Sequence, residues 1–268
     1  MECISSETKG MDHMEQSWDA VFKQYVNHLI SPDGRDTFES TPQLIQKILS
    51  AANIQSTDTV VDVGCGWGNL TIPAVAYSSH VIGIEPNPEN RKEAQVRSKG
   101  KSIQYLHGSF EKPNYYGKAD KIISSLVFHQ VGYDEKPRAL RQTSGMLKAD
   151  GCFVLCDTMM MFDAENDAAR FNEVYRYLLP KTTPKEVYRK YIEPNMEAGY
   201  VYTWEDMKKY TPKDNWFYGI NDLKSWLSAC ELKILDKIEI CPFFGIIIII
   251  HQEESTSDKT DEYKLRSQ

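Results

Sequence analysis

Short apolar runs alternate with amphipathic stretches along the middle of the chain. Five runs have the length and the β-branched or apolar content of strands, at residues 59–63, 81–84, 103–107, 121–125 and 152–156. Helical spacing follows most of them, through about residue 78 and then at 89–98 and 135–147. Strands that alternate with helices are typical of a parallel sheet covered by helices on both faces. The pattern therefore predicts a doubly wound α/β domain.

The α/β pattern returns near the end of the chain. A helix is predicted at residues 220–229, a strand at 233–240 and a last strand within 241–251. The last run contains five consecutive isoleucines and is too short to span a bilayer. An apolar run of this length is typical of a strand buried on both faces, and we predict that it is a central strand of the sheet.

Three further segments flank or interrupt this α/β domain, which is assigned to residues 41–252. Residues 1–40 are expected to form an N-terminal helical lid, with a stripe of Trp18, Phe22 and Tyr25. The next helix is expected to begin near residue 42, with Ser40 or Thr41 as its N-cap. Residues 158–218 are rich in aromatic side chains and are predicted to be a helical cap inserted after the fifth strand. Residues 253–268 are polar, which predicts a disordered tail.

Charge and cysteine content narrow the functional classes. The formal net charge is −7, whereas proteins that hold long nucleic acids usually present a basic face. Neither a nucleic acid nor a membrane is therefore expected as a partner. The six cysteines form no CxxC pair, no metal-ligand spacing is visible, and the polar N-terminus is unlike a signal peptide. We expect a cytoplasmic protein with reduced thiols and no metal, of undetermined oligomeric state.

The most informative motif is the glycine run V-V-D-V-G-C-G-W-G at residues 60–68. It ends a strand and opens a helix, where a ligand can approach the backbone closely. A dinucleotide fingerprint would need a third glycine at Asn69, and Asp62 would repel a pyrophosphate. A carboxylate at this point suits a cationic ligand such as S-adenosylmethionine. Glu85, at the end of the second strand, is well placed to accept hydrogen bonds from ribose hydroxyls.

These motifs and their order resemble the class I S-adenosylmethionine-dependent methyltransferases, in particular the small-molecule branch. The resemblance rests on residues 61–68, 85–86, 107–110, 119–130 and 147–157. It implies a Rossmann-like sheet of seven mostly parallel strands, with the last strand antiparallel, and N-terminal helices that close over the cofactor. It also implies a cofactor site made of Asp62, Gly64, Cys65, Gly66, Glu85, Pro86, Ser109, Phe110, Ser125 and Leu126.

Each group of these residues has an implied role. Gly64 and Gly66 would lie against the methionine portion, and Glu85 would hold the ribose. Ser109 and Phe110 would flank the adenine, whereas Ser125 and Leu126 would line the methyl-donating side. Many relatives carry an aspartate where this chain has Ser109, which accepts hydrogen bonds more weakly. Adenine recognition is therefore expected to depend more on backbone groups and Phe110.

The candidates for catalysis and acceptor binding each have a plain structural alternative. His129 is either a general base or a structural histidine near a helix start. Asp157 either contacts the acceptor or forms a hydrogen bond with the cap or a loop. Tyr25, Tyr200 and Trp204 either bind an aromatic or cationic acceptor or only pack the lid and the cap.

The sequence predicts an enzyme that methylates an N, O or S atom of a small metabolite or natural product. Two alternatives stay open. The first is a protein or RNA methyltransferase, and the second is a non-catalytic module that binds S-adenosylmethionine.

Overall fold

Seven strands form one sheet in the computed structural model, which describes residues 18–27, 40–211 and 218–252. The strands are β1 (Thr59–Val63), β2 (His80–Ile84), β3 (Ile103–Leu106), β4 (Ala119–Ser125), β5 (Leu147–Thr158), β6 (Leu232–Cys241) and β7 (Phe244–His251). Their order across the sheet is β3-β2-β1-β4-β5-β7-β6. Strands β1 to β5 pair in parallel, and β7 runs antiparallel to both β5 and β6. The predicted mostly parallel sheet with an antiparallel last strand is confirmed.

Helices connect these strands on both faces. Residues 18–23 are helical, and the later helices are α1 (Pro42–Ala52), α2 (Thr71–Ala74), α3 (Pro88–Arg97), α4 (Lys136–Met146), α5 (Ala168–Thr182), α6 (Lys185–Val187), α7 (Glu193–Glu197), α8 (Trp204–Tyr210) and α9 (Ile220–Ser228). Short 3-10 helices span Phe128–Gln130 and Tyr133–Glu135, and a π-helix spans Tyr188–Ile192. Within the described ranges, no helix is long and apolar enough to cross a membrane.

Adjacent residues of the inner strands pack into two different hydrophobic cores, which explains their continuous apolar runs. On β1, Val60 joins one core and Val61 the other, and Val154 and Leu155 divide in the same way on β5. Successive side chains of a strand point to opposite faces of the sheet, so a strand covered on both faces needs apolar residues throughout. The doubly wound architecture follows from this burial.

The sequence predicts that the isoleucine strand is central, and this prediction is wrong. It is β7, which lies between β5 and the edge strand β6. Its isoleucines are nevertheless mostly buried, because β6 covers its outer side and both cores reach it. Burial of both faces requires a packed layer above and below the strand rather than a place at the centre of the sheet.

The helix after the glycine run is also shorter than predicted. The sequence suggested a helix through about residue 78, whereas α2 ends at Ala74. The chain then tightens into 3-10 turns, in which Ala76 N donates to Pro73 O and Tyr77 N donates to Ala74 O, at 3.1 and 3.0 Å.

Helix α1 begins where its capping signal predicts. The Thr41 side chain accepts a hydrogen bond from Leu44 N at 3.4 Å, and Pro42 follows it at the first helical position. The predicted N-cap at Ser40 or Thr41 is therefore Thr41. Ser40 instead lies close to Ser125 of β4, with 3.2 Å between the two hydroxyl oxygens.

The aromatic segment after β5 folds mainly as helices α5 to α8. The rings of Phe171 and Trp204 meet edge to face at 5.6 Å, and Tyr175 meets Tyr202 in the same way at 5.6 Å. These buried side chains belong to the same hydrophobic core as α1 and one face of the sheet. The ring of Trp18, from the N-terminal segment, lies 5.2 Å from that of Tyr177. The lid and cap boundaries stay predictions, and the predicted tail lies outside the described residues.

Replacing Trp204 with alanine should destabilise the protein by about 3–5 kcal/mol, because the indole is buried against Phe171 and its removal leaves a cavity. Tyr210→Ala, in the same helix, is the matched control. Its ring is 66% exposed, so its replacement should change stability by less than about 0.5 kcal/mol. Urea unfolding of both variants measures the difference. Equal losses of stability would contradict the packing described here.

Candidate functional site

A cavity of about 680 Å³ opens at the edge of the sheet where β1, β2 and β4 end. Every residue predicted to bind the cofactor lines it, namely Asp62, Gly64, Cys65, Gly66, Glu85, Pro86, Ser109, Phe110, Ser125 and Leu126. The carboxyl ends of parallel strands meet at one edge of an open α/β sheet, which is where such sheets bind ligands. The topology therefore gathers segments that are far apart in the chain into one site.

The glycine loop after β1 depends on backbone conformations that favour glycine. Gly64, Gly66 and Gly68 all have positive φ, at 79°, 52° and 84°. A Cβ at Gly64 would lie 2.4 Å from Cγ1 of Val127, so this glycine also permits close packing between two loops. A Cβ at Gly66 would meet no atom within 4 Å. The backbone at Gly66 is thus left open for a ligand.

Glu85 fixes this loop from the end of β2. Its Oε2 accepts a hydrogen bond from Gly66 N at 3.1 Å, and its Oε1 accepts from Asn87 N at 2.9 Å and from Asn90 Nδ2 at 3.3 Å. The side chain is only 6% exposed, yet it lines the cavity. Glu85 is therefore held in place before any ligand binds, and its Oε2, which accepts only the bond from Gly66, can accept a further hydrogen bond.

Asp62, in β1, is a second acidic residue that lines the cavity. Its Oδ2 accepts a hydrogen bond from the Thr71 hydroxyl at 2.5 Å, and the residue is almost fully buried. Burial raises the pKa of Asp62 to about 7, against the lowering effect of Thr71, and the nearby charge of Glu85 raises it further. A cation in the cavity would favour the ionised carboxylate. The two acids thus fit a ligand that carries positive charge.

The residues predicted around the adenine come from the loop after β3. Ser109 accepts a hydrogen bond from Lys112 N at 3.3 Å through its hydroxyl, and its own N donates to Lys112 O at 3.0 Å. Phe110 is 2% exposed and packs edge to face on Phe128 at 5.2 Å. Ser109 therefore closes a turn of its own loop, while Phe110 joins the cavity wall to the core beneath it.

The opposite wall of the cavity is the segment after β4. Leu126 has a φ of 60°, which is uncommon for a residue with a side chain, and its N donates to Cys156 O at 2.8 Å. Backbone strain of this kind persists where surrounding contacts over-determine it, and it is frequent at binding sites. Leu126 is therefore held by β5 in the conformation that turns the chain across the cavity.

His129 and Asp157 do not line the cavity. They are 2% and 0% exposed, and Nδ1 of His129 lies 2.6 Å from Oδ1 of Asp157. The hydroxyl of Tyr218 donates to Oδ2 of Asp157 at 3.1 Å. Because Asp157 at the end of β5 holds the imidazole inward, the two predicted catalytic residues form a buried pair behind the cavity wall. The geometry favours the structural alternative for both.

The aromatic residues predicted to bind the acceptor are also absent from the described cavity wall. Trp204 is buried within the cap, whereas Tyr200 is 45% exposed and its hydroxyl lies 3.2 Å from both carboxylate oxygens of Asp206. Tyr25 packs against the core that holds α1, with the amine of Lys47 5.7 Å from its ring centroid. These positions favour packing over acceptor binding.

Several lining residues were not predicted from the sequence. They are Ser40, Trp67, Asn69, Leu70, Asn90, Glu111, Val127, Gln130 and Val131. Most of them lie within a few residues of a predicted one, so extending each motif along its loop would have found them. Trp67 is held by a hydrogen bond from its Nε1 to Asn90 Oδ1 at 2.9 Å. Across the described ranges, no cluster of three or more metal-binding side chains occurs.

Comparisons with known proteins agree with this geometry. A family model described as a methyltransferase domain matches residues 61–155, from the third residue of β1 into β5. An uncharacterized methyltransferase of Alkaliphilus oremlandii is 29% identical over 216 residues, which cover 75% of this chain and 95% of that protein. Residues 61–155 thus form a methyltransferase domain, and the chain is similar to methyltransferases over most of its length.

Two further matches support the same family and fold. An uncharacterized methyltransferase of Oceanobacillus iheyensis is 33% identical over 146 residues, which cover 54% of this chain and 66% of that relative. The crystal structure of an S-adenosylmethionine-dependent methyltransferase from Clostridium acetobutylicum has a TM-score of 0.54 and 15% identity. It covers 78% of this chain and 89% of that one, and at this identity it supports the fold. The protein is therefore a methyltransferase with S-adenosylmethionine as its cofactor.

The affinity of the methyltransferase for S-adenosylmethionine should fall on acidification. In the free protein the pKa of Asp62 is about 7, and a cationic ligand favours its ionised form. Above pH 7 the carboxylate is already ionised, whereas below pH 7 binding must release its proton. The dissociation constant should therefore rise by about tenfold from pH 8 to pH 6.

Calorimetry across this range measures the pH dependence. Asp62→Asn, which has the same shape but no titrating group, should weaken binding and flatten the profile. A variant that keeps the full pH dependence would show that another group is responsible.

Proposed function

We propose that this methyltransferase modifies an N, O or S atom of a small molecule. The supporting observation is the charge of the cavity wall. Three of its residues are acidic, Asp62, Glu85 and Glu111, and none of the described wall residues is lysine, arginine or histidine. A site that accepts a nucleic acid typically presents basic side chains to the phosphates. A neutral or cationic acceptor is compatible with this wall, and the cavity volume falls within the usual range for small ligands.

The cofactor contacts follow from the residues that surround the cavity. S-adenosylmethionine supplies a methyl group that is already activated by its sulfonium. Asp62 and the open backbone at Gly66 are suited to its cationic methionine portion, and Glu85 has acceptor capacity for ribose hydroxyls. Phe110 contributes an apolar wall for the adenine, as the family resemblance implies.

The residues on the β4 side are suited to orienting an acceptor. Ser40, Ser125 and Gln130 present neutral polar groups to the cavity, beside the apolar side chains of Leu126 and Val127. Alignment of the acceptor and exclusion of water are the main requirements for in-line transfer from a sulfonium. We infer that these residues align the acceptor, and that the buried His129 does not remove a proton from the acceptor directly.

The expected cytoplasmic location stays a prediction.

The proposal is tested by measuring S-adenosylhomocysteine formation with panels of small thiols, phenols, amines and carboxylates. Matched reactions contain total RNA or unfolded protein as the acceptor. Turnover with a small-molecule panel and none with the polymers is the expected result. Turnover with RNA or protein alone would overturn the proposal, and cofactor binding without turnover on any acceptor would favour a binding module.

Glu85→Ala should weaken S-adenosylmethionine binding by about 1.5–3 kcal/mol, the range for losing hydrogen bonds to a charged group. Glu93→Ala is the matched control, because it removes the same charge from an exposed position of α3 outside the cavity. Calorimetry should give the control nearly the affinity of the unmodified protein. If both variants bind equally well and are folded, the assignment of Glu85 is wrong.

A further inference from the structure

Lys136 is a fully buried lysine at an electrostatically unfavourable position. It is 0% exposed and begins helix α4, where the positive end of the helix dipole disfavours a cation. Burial lowers the pKa of Lys136 to about 8, although the charge of Asp157 raises it in part. An apolar side chain of similar shape would avoid both costs. The presence of lysine therefore calls for a specific interaction.

The ammonium of Lys136 binds the backbone of the chain segment before it. Its Nζ donates to the carbonyl oxygens of Phe128 at 2.6 Å and Val131 at 2.7 Å, with that of His129 at 3.4 Å. Three donors thus meet three carbonyl groups. The rings of Phe128 and Tyr218 also lie beside the ammonium, with their centroids 4.7 and 4.8 Å away.

These carbonyl groups belong to the β4–α4 turn, which we define as residues 126–131. The turn divides its side chains between two environments. Leu126, Val127, Gln130 and Val131 line the cavity, whereas Phe128 and His129 are buried behind it. A shift of the turn would therefore move the cavity wall directly.

The buried face of the turn has a second anchor. His129 bonds to Asp157, and Asp157 accepts a further hydrogen bond from Tyr218, whose ring lies beside Lys136. Lys136 and Asp157 place opposite charges in one buried network. The charge of Glu111, in the cavity wall, also raises the pKa of Lys136. Removing one member of such a network leaves the other buried groups without compensation.

We propose that Lys136 is a positioning residue for methyl transfer, which holds the β4–α4 turn against the methyl-donating side of the cofactor. The inference rests on the proposed function, because the resemblance assigns that side of the cavity to Ser125 and Leu126. Lys136 touches neither cofactor nor acceptor in this scheme. It acts through the carbonyl groups of the turn, as do His129 and Asp157 from the other anchor.

The test compares the affinities for S-adenosylmethionine and S-adenosylhomocysteine, which differ only at the sulfur. Lys136→Met keeps the unbranched side chain, one atom shorter, but removes its donors and charge. By calorimetry it should lower the affinity for S-adenosylmethionine by about tenfold more than that for S-adenosylhomocysteine. Lys136→Arg, which keeps the charge and the donors, should recover part of this difference. Hydrogen exchange should accelerate in a peptide that covers the turn and stay unchanged in one that covers β1.

Lys148→Met is the matched control. Lys148 pairs with Asp120 at 2.7 Å outside the cavity, so the ratio of the two affinities should not change in this variant. If Lys136→Met lowers both affinities equally, or lowers neither, the positioning role is overturned. If Lys136→Met does not fold, Tyr218→Phe serves as the test variant, because it removes only the hydroxyl that anchors Asp157. An unchanged ratio of the two nucleotide affinities in Tyr218→Phe would overturn the proposal. Failure of the unmodified protein to bind either nucleotide would instead refute the cofactor site itself.

Discussion

A small set of backbone hydrogen bonds between the ends of β1 and β2 determines the shape of the site. The amides of Gly64 and Cys65 both donate to the carbonyl of Ile84, at 2.8 and 3.0 Å, and the amide of Gly66 donates to the Glu85 carboxylate. Three successive donors are thus directed to one neighbouring strand end. The chain reaches this arrangement only through left-handed glycine conformations, and it leaves the loop backbone open towards the cavity.

The negative charge of the site follows from the same arrangement. Because the loop packs tightly on β2, Glu85 lies close enough to the buried Asp62 for its charge to raise the pKa of Asp62 further. Without a ligand, these two acids therefore face a described cavity wall that contains no cationic side chain. A bound cation relieves this repulsion, so part of the selectivity for a sulfonium-bearing nucleotide is already built into the free protein.

The sequence predicts the parts of the site that depend on local pattern. Gly64, Gly66 and Glu85 stand at strand ends, and the alternation of strands and helices is enough to bring strand ends to one edge. The direction of the His129 side chain is different, because it is decided by Asp157, a partner in another strand. Likewise, the isoleucine run has the same apolar pattern whether its strand is central or next to the edge. Such features depend on tertiary neighbours that hydrophobic periodicity does not encode.

The described wall of the cavity is drawn entirely from residues 40–131, although the domain continues for more than a hundred residues beyond them. Strand β5, which lies beyond them in the chain, supports the wall from behind, since Leu126 N donates to Cys156 O. This separation has an evolutionary consequence. Substitutions after β5 do not alter the described cavity-lining side chains themselves, so this segment can diversify wherever its buried contacts, such as those of Trp204 and Tyr218, are kept. Recombination near residue 158 would exchange the cap and leave these wall residues unchanged.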